Sequence, residues 1–350
     1  MKDISDYSLK THNTFGIDVR CRRFIEFCSV EEAQQVAAIL REASCLISAQ
    51  SSPSRSLSPL TPQPYIIIGG GSNLLLTRDF DGIVVRSAIN TVMEDGERVL
   101  CGSGVEWDRL VEKLVNRGLY GAENLSLIPG DVGATAVQNI GAYGVEACEL
   151  IERVWAIDIA TGKQELFMND ECGYGYRQSH FKNEWKNRYL ITQVDYRLSR
   201  EFRPRLDYGN IRAELERRGI GDPTPQQLRQ VIIDIRREKL PDPKDLGNAG
   251  SFFMNPVVGR EEYERLAARY DGMPHYDMGD KVKIPAGWMI EQCGWKGRSL
   301  GRAGVHDKQA LVLVNRGGAI GQEIVDLCRA IQRDVKARFG IDIQPEVNIV

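Results

Sequence analysis

The sequence has no excess of positive charge, and that absence does the first sorting. Forty-five Lys and Arg against 48 Asp and Glu leave a formal charge of -3, so no basic field exists to grip a duplex, and nucleic acid is an improbable partner. The eight cysteines (Cys21, Cys28, Cys45, Cys101, Cys148, Cys172, Cys293, Cys328) never fall in a Cys-x-x-Cys pair. Neither a disulfide framework nor a metal site is indicated, and the thiols read as reduced and cytosolic. No apolar run approaches the roughly 18 residues of a membrane span, and Lys2 to Asn13 contain no apolar core of a signal peptide. A cytoplasmic protein is expected. There is no Gly-Lys-Ser/Thr of a P-loop and no internal repeat.

What the chain does have is length and glycine. At 350 residues and 42% hydrophobic content it can bury two or three cores. Tyr65-Ile66-Ile67-Ile68 runs into Gly69-Gly70-Gly71-Ser72-Asn73, a β-branched strand opening into a turn whose bare N–H groups suit phosphate oxygens. The residues that follow, Asn73 to Leu76 and Gly82 to Val85, read as further strand, whereas a dinucleotide fingerprint needs a helix there. A tight turn between strands is the competing reading. A second such stretch, Ile128-Pro129-Gly130 followed by Gln138-Asn139-Ile140-Gly141-Ala142-Tyr143-Gly144, favours a ligand loop.

Secondary structure is legible at several points. Ser29 and Glu32 form a capping box ahead of the stripe Ala33, Val36, Ala37 and Leu40. Trp107, Leu110, Val111 and Leu114 form another helix, which Gly118 stops. Strands are expected at Gly82 to Arg86, Arg153 to Ile159, Glu165 to Met168 and Tyr189 to Leu198, with Thr161-Gly162 as a hairpin turn. Thr224-Pro225-Gln226-Gln227 starts a helix running to about Lys239, where Leu240-Pro241 breaks it. Helices are expected around Tyr263 to Tyr270 and Ile324 to Val335, with a buried strand at Leu311 to Val314 between them. The Ser/Pro-rich stretch 48–64 reads as a mobile surface loop.

Three residues are chemical candidates, each with an ordinary alternative. Ser251, in Asn248-Ala249-Gly250-Ser251-Phe252-Phe253-Met254-Asn255-Pro256, is sterically open beside two phenylalanines. As a proton donor it needs a strongly basic carbanion and a dry site; taken alone, such a serine is more often a turn or cap residue. Arg177 offers a planar fork for a carboxylate or enolate, or covers a neighbouring tyrosine. Glu346 is an acid or charge stabiliser only in the company of the other two, and otherwise a solvated carboxylate.

The strings GGGSN at 69–73, IPG with QNIGAYGVE through Glu146, GYRQSHFK from Gly175, KLPDPK from Lys239, NAGSFFMNP from Asn248 and PEV at 345–347 occur in one order. Together they resemble the UDP-N-acetylenolpyruvoylglucosamine reductase family, in its longer type with a tyrosine loop at Leu206-Asp207-Tyr208-Gly209-Asn210. The resemblance implies an α+β chain: an FAD-binding domain of the vanillyl-alcohol-oxidase (PCMH) type plus a C-terminal substrate-binding α/β domain. The implied division is 1–75 with 343–350 and 76–205 as two FAD-binding subdomains, and 206–342 as the substrate domain. Non-covalent FAD would be held by Gly69, Gly70, Gly71, Ser72, Asn73, Pro129, Gly130, Asn139, Ile140, Gly141, Ala142, Tyr143 and Gly144. NADPH would be the co-substrate and a monomer the working form. UDP-N-acetylglucosamine enolpyruvate, a cell-wall precursor, would contact Tyr208, Lys239, Asn255 and Gln309, while Arg177, Ser251 and Glu346 would be catalytic.

Two departures stand out. The 48–64 insertion lengthens the first segment, and Asp131 places an acid beside the implied flavin loop where other members carry a neutral or cysteine residue. Two rival functions remain. An oxidase of the same flavin fold often tethers its cofactor through histidine, and none of His12, His180, His275 or His306 lies between Gly69 and Gly144. A binding protein without turnover would keep the loops and use Ser251 only as a turn residue.

Overall fold

A computed structural model describes residues 1–45 and 64–350, so the reading of 48–64 as a mobile loop falls almost wholly outside the described residues. The chain forms two compact units. The first comprises 1–7, 21–70 and 81–236, and the second 8–20, 71–80 and 237–350.

In the first unit a four-stranded sheet runs in the order Lys2–Ser8, Arg20–Phe27, Phe80–Ser87, Tyr65–Ile68. The last two strands are parallel, with Ile68 opposite Arg86. Helix α1 (Val30–Cys45) starts on the expected box: Ser29 Oγ accepts the Glu32 N–H at 3.2 Å, and Glu32 Oε2 accepts the Cys28 N–H at 2.7 Å. Its stripe of Ala33, Val36, Ala37 and Leu40 is buried with Ile25, Ile83 and Val85 from this sheet and Ile157 and Leu190 from a second. That second sheet has five antiparallel strands in the order Gln164–Met168, Ile151–Asp158, Tyr189–Arg197, Arg98–Gly102, Val92–Asp95. Gly162 turns its first hairpin at φ +73°.

Helices α2 (Trp107–Asn116) and α3 (Val132–Gln138) bury Trp107, Leu110, Val111, Leu114, Val132 and Ala136 in the core of the five-stranded sheet. Gly118 follows α2 at φ +69°, the left-handed conformation that closes a helix without a Cβ penalty. Beyond α4 (Ile211–Arg217), helix α5 (Pro225–Lys239) opens on its capping box, with Thr224 Oγ1 accepting the Gln227 N–H at 3.2 Å. Arg229 of α5 is 8% exposed and bonds the Asp108 carboxylate of α2 at 2.7 and 3.2 Å.

The second unit carries α6 (Arg260–Ala267), α7 (Ala286–Gln292) and α8 (Gly321–Phe339). Its main sheet runs Asn248–Ser251, Val312–Asn315, Ala303–Val305, Ser299–Leu300, and a three-stranded sheet runs Val257–Gly259, Lys281–Lys283, Tyr276–Met278. Helix α8 buries Ile324, Leu327, Cys328, Ile331 and Val335 and stops at Gly340, φ +77°. The C-terminal strand Asn348–Ile349 pairs in parallel with Leu74–Leu75. Among the described residues no helix is long and apolar enough to cross a membrane.

Candidate active site

The Gly69–Gly71 turn begins where the strand Tyr65–Ile68 leaves the sheet, and each glycine has a different reason for its identity. A Cβ on Gly70 would lie 3.2 Å from Gly130 Cα, and one on Gly69 would lie 3.6 Å from Asp131 Oδ2. The two glycine-rich stretches therefore pack closely within the first unit, Gly70 against the Gly130 backbone and Gly69 against the side chains of Asp131 and Ala134. Gly71 opens the second unit at φ +68°, and its Cβ would fall within the His12 carbonyl and 2.9 Å from Asn13 Cα. Asn73 Nδ2 donates to the Glu346 carbonyl at 3.3 Å.

Residues 139–148 form a small hairpin around Asn139. This side chain is fully buried at the left-handed end of α3; its Nδ2 donates to Glu146 Oε2 (2.7 Å) and the Gly175 carbonyl (2.9 Å), and its Oδ1 accepts the Cys148 N–H at 2.9 Å. Gly141–Ala142 pairs with Val145–Glu146, and both turn residues have positive φ, Tyr143 at +50° and Gly144 at +78°. Gly144 is demanded by space as well: Tyr208 Cβ lies 3.3 Å from where its own Cβ would be. The tyrosine loop thus rests on the hairpin turn, with the Tyr208 side chain exposed.

Arg177 sits on a turn closed by Gly175 and Gln178, at φ +56°, a conformation rare for a non-glycine residue and one that marks a constrained site. Its guanidinium donates to the carbonyls of Gly141 and Asn139 and lies 5.4 Å from the Tyr176 ring centroid. Both readings of Arg177 have a structural counterpart, since it covers a tyrosine and also lies along the glycine hairpin.

One residue of this region escaped sequence reasoning. Arg236, on α5, hydrogen-bonds the Tyr143 hydroxyl and senses the like charge of Arg177; its Nε is buried with no hydrogen-bond partner, and burial holds its pKa down. The one sequence signal was a charge directly after Ile232-Ile233-Asp234-Ile235, which solvation explains equally well.

In the second unit, Ser251 ends a strand that pairs Asn248 with Val314 and Ser251 with Val312, the register slipping between them around Gly250 at φ +68°. This irregularity leaves Ser251 exposed while Phe252 and Phe253 turn into the core. The phenylalanines pack edge to face, centroids 5.3 Å apart. The segment Gln344 to Glu346 runs alongside: Met254 N–H donates to the Gln344 carbonyl at 2.9 Å and Glu346 N–H to the Phe252 carbonyl at 2.8 Å. Ser251 and Glu346 are thereby brought to adjacent backbones from positions far apart in the chain. Asn255 Oδ1 accepts the Ala286 N–H at 2.9 Å at the start of α7, and Gln309 Oε1 lies 3.1 Å from where a Cβ on Gly287 of that helix would be. Lys239 is half-buried at the end of α5. Arg177, Tyr143 and Tyr208 gather in the first unit, and Ser251, Asn255, Gln309 and Glu346 in the second.

Paired loops of bare peptide groups fit the pyrophosphate of a dinucleotide such as FAD, which is bound by backbone N–H groups in such concavities. Asp131 is a discordant charge. Burial pushes its carboxyl up to about 6, Arg86 opposes this, and Glu106 and Glu26 add to it.

Comparison with known proteins agrees with this geometry. A family model described as an FAD binding domain matches residues 59–166, and one described as the C-terminal domain of UDP-N-acetylenolpyruvoylglucosamine reductase matches residues 242–350. The UDP-N-acetylenolpyruvoylglucosamine reductase of Bacteroides fragilis strain YCH46 is 52% identical over 98% of this chain and 99% of its own length. That of Burkholderia multivorans is 44% identical over 98% and 95%. The crystal structure of UDP-N-acetylenolpyruvylglucosamine reductase from Thermus caldophilus covers 99% of this chain and 98% of its own, with a TM-score of 0.66 at 22% identity, a likeness of fold. The architecture is α+β, an FAD-binding domain of the vanillyl-alcohol-oxidase type joined to a C-terminal substrate-binding domain. With relatives this similar along the whole sequence, the chain belongs to the UDP-N-acetylenolpyruvoylglucosamine reductase family of flavin-dependent oxidoreductases.

Proposed function

We propose that this protein reduces UDP-N-acetylglucosamine enolpyruvate to UDP-N-acetylmuramate in peptidoglycan synthesis, using NADPH and non-covalent FAD, as a cytoplasmic monomer. The observation that carries the reading is the 52% identity to the Bacteroides fragilis reductase over 98% of the chain. Bound FAD would supply the hydride, received from NADPH and delivered from flavin N5 to the terminal enolpyruvyl carbon.

The chain's own residues supply the rest. Peptide groups of Gly69 to Asn73 and of Pro129, Gly130 and Asn139 to Gly144 hold the flavin nucleotide. As hydride adds to the terminal carbon, the π electrons move to the carbon bearing the carboxylate, and that developing charge needs fixed positive and hydrogen-bonding groups. Arg177 and the Glu346 carboxyl take this role. Ser251 then gives its proton to that carbon, completing a CH–CH3 unit in which one hydride and one proton have been added across the double bond. Tyr208, Lys239, Asn255 and Gln309 bind the nucleotide sugar. The division into 1–75 with 343–350, 76–205 and 206–342 belongs to the same reading.

The test follows NADPH absorbance with UDP-N-acetylglucosamine enolpyruvate and, separately, with UDP-N-acetylglucosamine. Decay with the first alone supports the reading. Equal decay with both points to oxygen as acceptor, and no decay in flavin-loaded protein points to binding without turnover. Ser251→Ala should still be reduced by NADPH yet turn over at least about a hundredfold more slowly; unchanged turnover removes Ser251 from the mechanism.

A further inference from the structure

Asp131 stands at the N-cap of α3 but does not cap it. Its side chain makes no cap hydrogen bond. The N–H groups it would serve are already taken, Val132 by the Val105 carbonyl (2.8 Å), Gly133 by that of Ser103 (2.8 Å) and Ala134 by the Asp131 backbone carbonyl itself (2.9 Å). The carboxylate instead faces the glycine turn: Oδ1 lies 3.4 Å from the Cβ position of Gly70 and Oδ2 3.6 Å from that of Gly69.

Its charge is poorly compensated. Arg86, on the strand Phe80–Ser87 beside the turn, gives its short contact of 2.7 Å to Glu26 and a longer one of 3.4 Å to Asp131. Among the described residues the charged groups that act on this carboxyl are Arg86, Glu26 on the strand Arg20–Phe27, and Glu106 ahead of α2, whose backbone is bridged to that of Asp131. Asp131 is 7% exposed. A buried acid with a weak partner, set against the backbone of an anion-binding turn, is poised to respond to an arriving anion.

We propose that Asp131 is a proton-linked positioning residue: it ties the Gly69–Gly70 turn to the Gly130 loop through Arg86, and it takes up a proton when the flavin dinucleotide's pyrophosphate occupies that turn. The inference rests on the flavin-loop reading given under Proposed function. In the absence of ligand the carboxyl titrates near 6, so it is ionised at pH 7. A unit negative charge roughly 6 Å away at an effective dielectric of about 20 raises a carboxyl by about two pH units. Binding then carries a proton with it, and affinity falls as pH rises between the two values.

The test measures the dissociation constant of FAD for apoprotein at several pH values. In the unaltered protein it should weaken about tenfold from pH ~6.5 to ~8, and in Asp131→Asn it should change less than about twofold. A slope retained in Asp131→Asn, or tight binding with no slope in the unaltered protein, overturns the proposal while leaving the flavin reading intact. No FAD binding at any pH overturns the flavin reading itself. Proton uptake is also read on the unaltered protein, by calorimetry at pH ~7 in two buffers of different ionisation enthalpy. Close to one proton per FAD, about 0.8, is expected; zero uptake refutes the linkage.

Discussion

Replacing Gly71 with alanine should be among the most damaging single-methyl additions in the second unit, because two independent penalties meet there. The residue holds φ +68°, and a Cβ would lie 2.6 Å from the His12 carbonyl carbon and 2.9 Å from Asn13 Cα, both backbone atoms that cannot swing away. The components can be separated. Gly16 has φ +66° with nothing within 4 Å of a Cβ, so Gly16→Ala carries the left-handed strain alone, about 1 kcal/mol. Gly321, whose φ is not left-handed, would place its Cβ 2.6 Å from Thr77 Cα; Gly321→Ala carries a backbone clash alone, roughly 1–3 kcal/mol less a gain of under about 1 from helix propensity. Gly71→Ala combines strain and clash, for roughly 2–4 kcal/mol. Denaturant unfolding of the three variants as apoprotein gives the comparison. A cost for Gly71→Ala no greater than that for Gly16→Ala would refute the close backbone approach.

Asp131→Asn should stabilise the apoprotein at neutral pH. Its carboxyl rises from 3.8 unfolded to about 6 folded, so burial of the charge costs nothing below pH 3.8, grows between those values and is complete above 6. The variant should exceed the parent by up to about 3 kcal/mol at pH ~7.5 and equal it near pH ~3.5; parallel stability curves would contradict the shift. Arg229→Ala should cost about 2–4 kcal/mol in denaturant unfolding, because Asp108 is left with the Leu127 N–H as its remaining described polar contact; a loss under about 0.5 would show the pair to be incidental. Among the seven cysteines with described side chains, exposed Cys28 should react first with a thiol reagent. Cys101 and Cys328, both pushed up to about 12 by burial, should react only on unfolding. Mass spectrometry of partly labelled protein reads the order.

Local physics decided much of what the sequence disclosed. Capping boxes at Ser29 and Thr224, stops at Gly118 and Gly340, and the turn at Gly162 were legible because each rests on contacts within a few residues. The apolar stripes of α1, α2, α5 and α8 were legible because helical period fixes which residues share a face. The same logic failed for α3, whose Val-Gly-Ala-Thr-Ala-Val-Gln carries one weak stripe and three Gly or Ala residues, behind an Asp131 that makes no side-chain cap. It also failed for the strand Lys2–Ser8, polar nearly throughout because it edges its sheet.

The sequence by itself determined that the two glycine stretches, Arg177, Ser251 and Glu346 exist in the order that the family shares. It also named glycine at every point where backbone must approach backbone. Only the tertiary structure decided what each glycine is for: Gly69 and Gly70 against the Gly130 loop, Gly71 against His12, Gly144 beneath Tyr208. Tertiary structure alone likewise set Glu346 beside the Phe252 backbone, turned the Asp131 carboxylate from its helix to the glycine turn, and left the Arg236 Nε buried without a partner. The reason is range. Propensity, capping and periodicity act over a few residues, whereas desolvation and close approach depend on groups that the chain separates by tens to hundreds of positions.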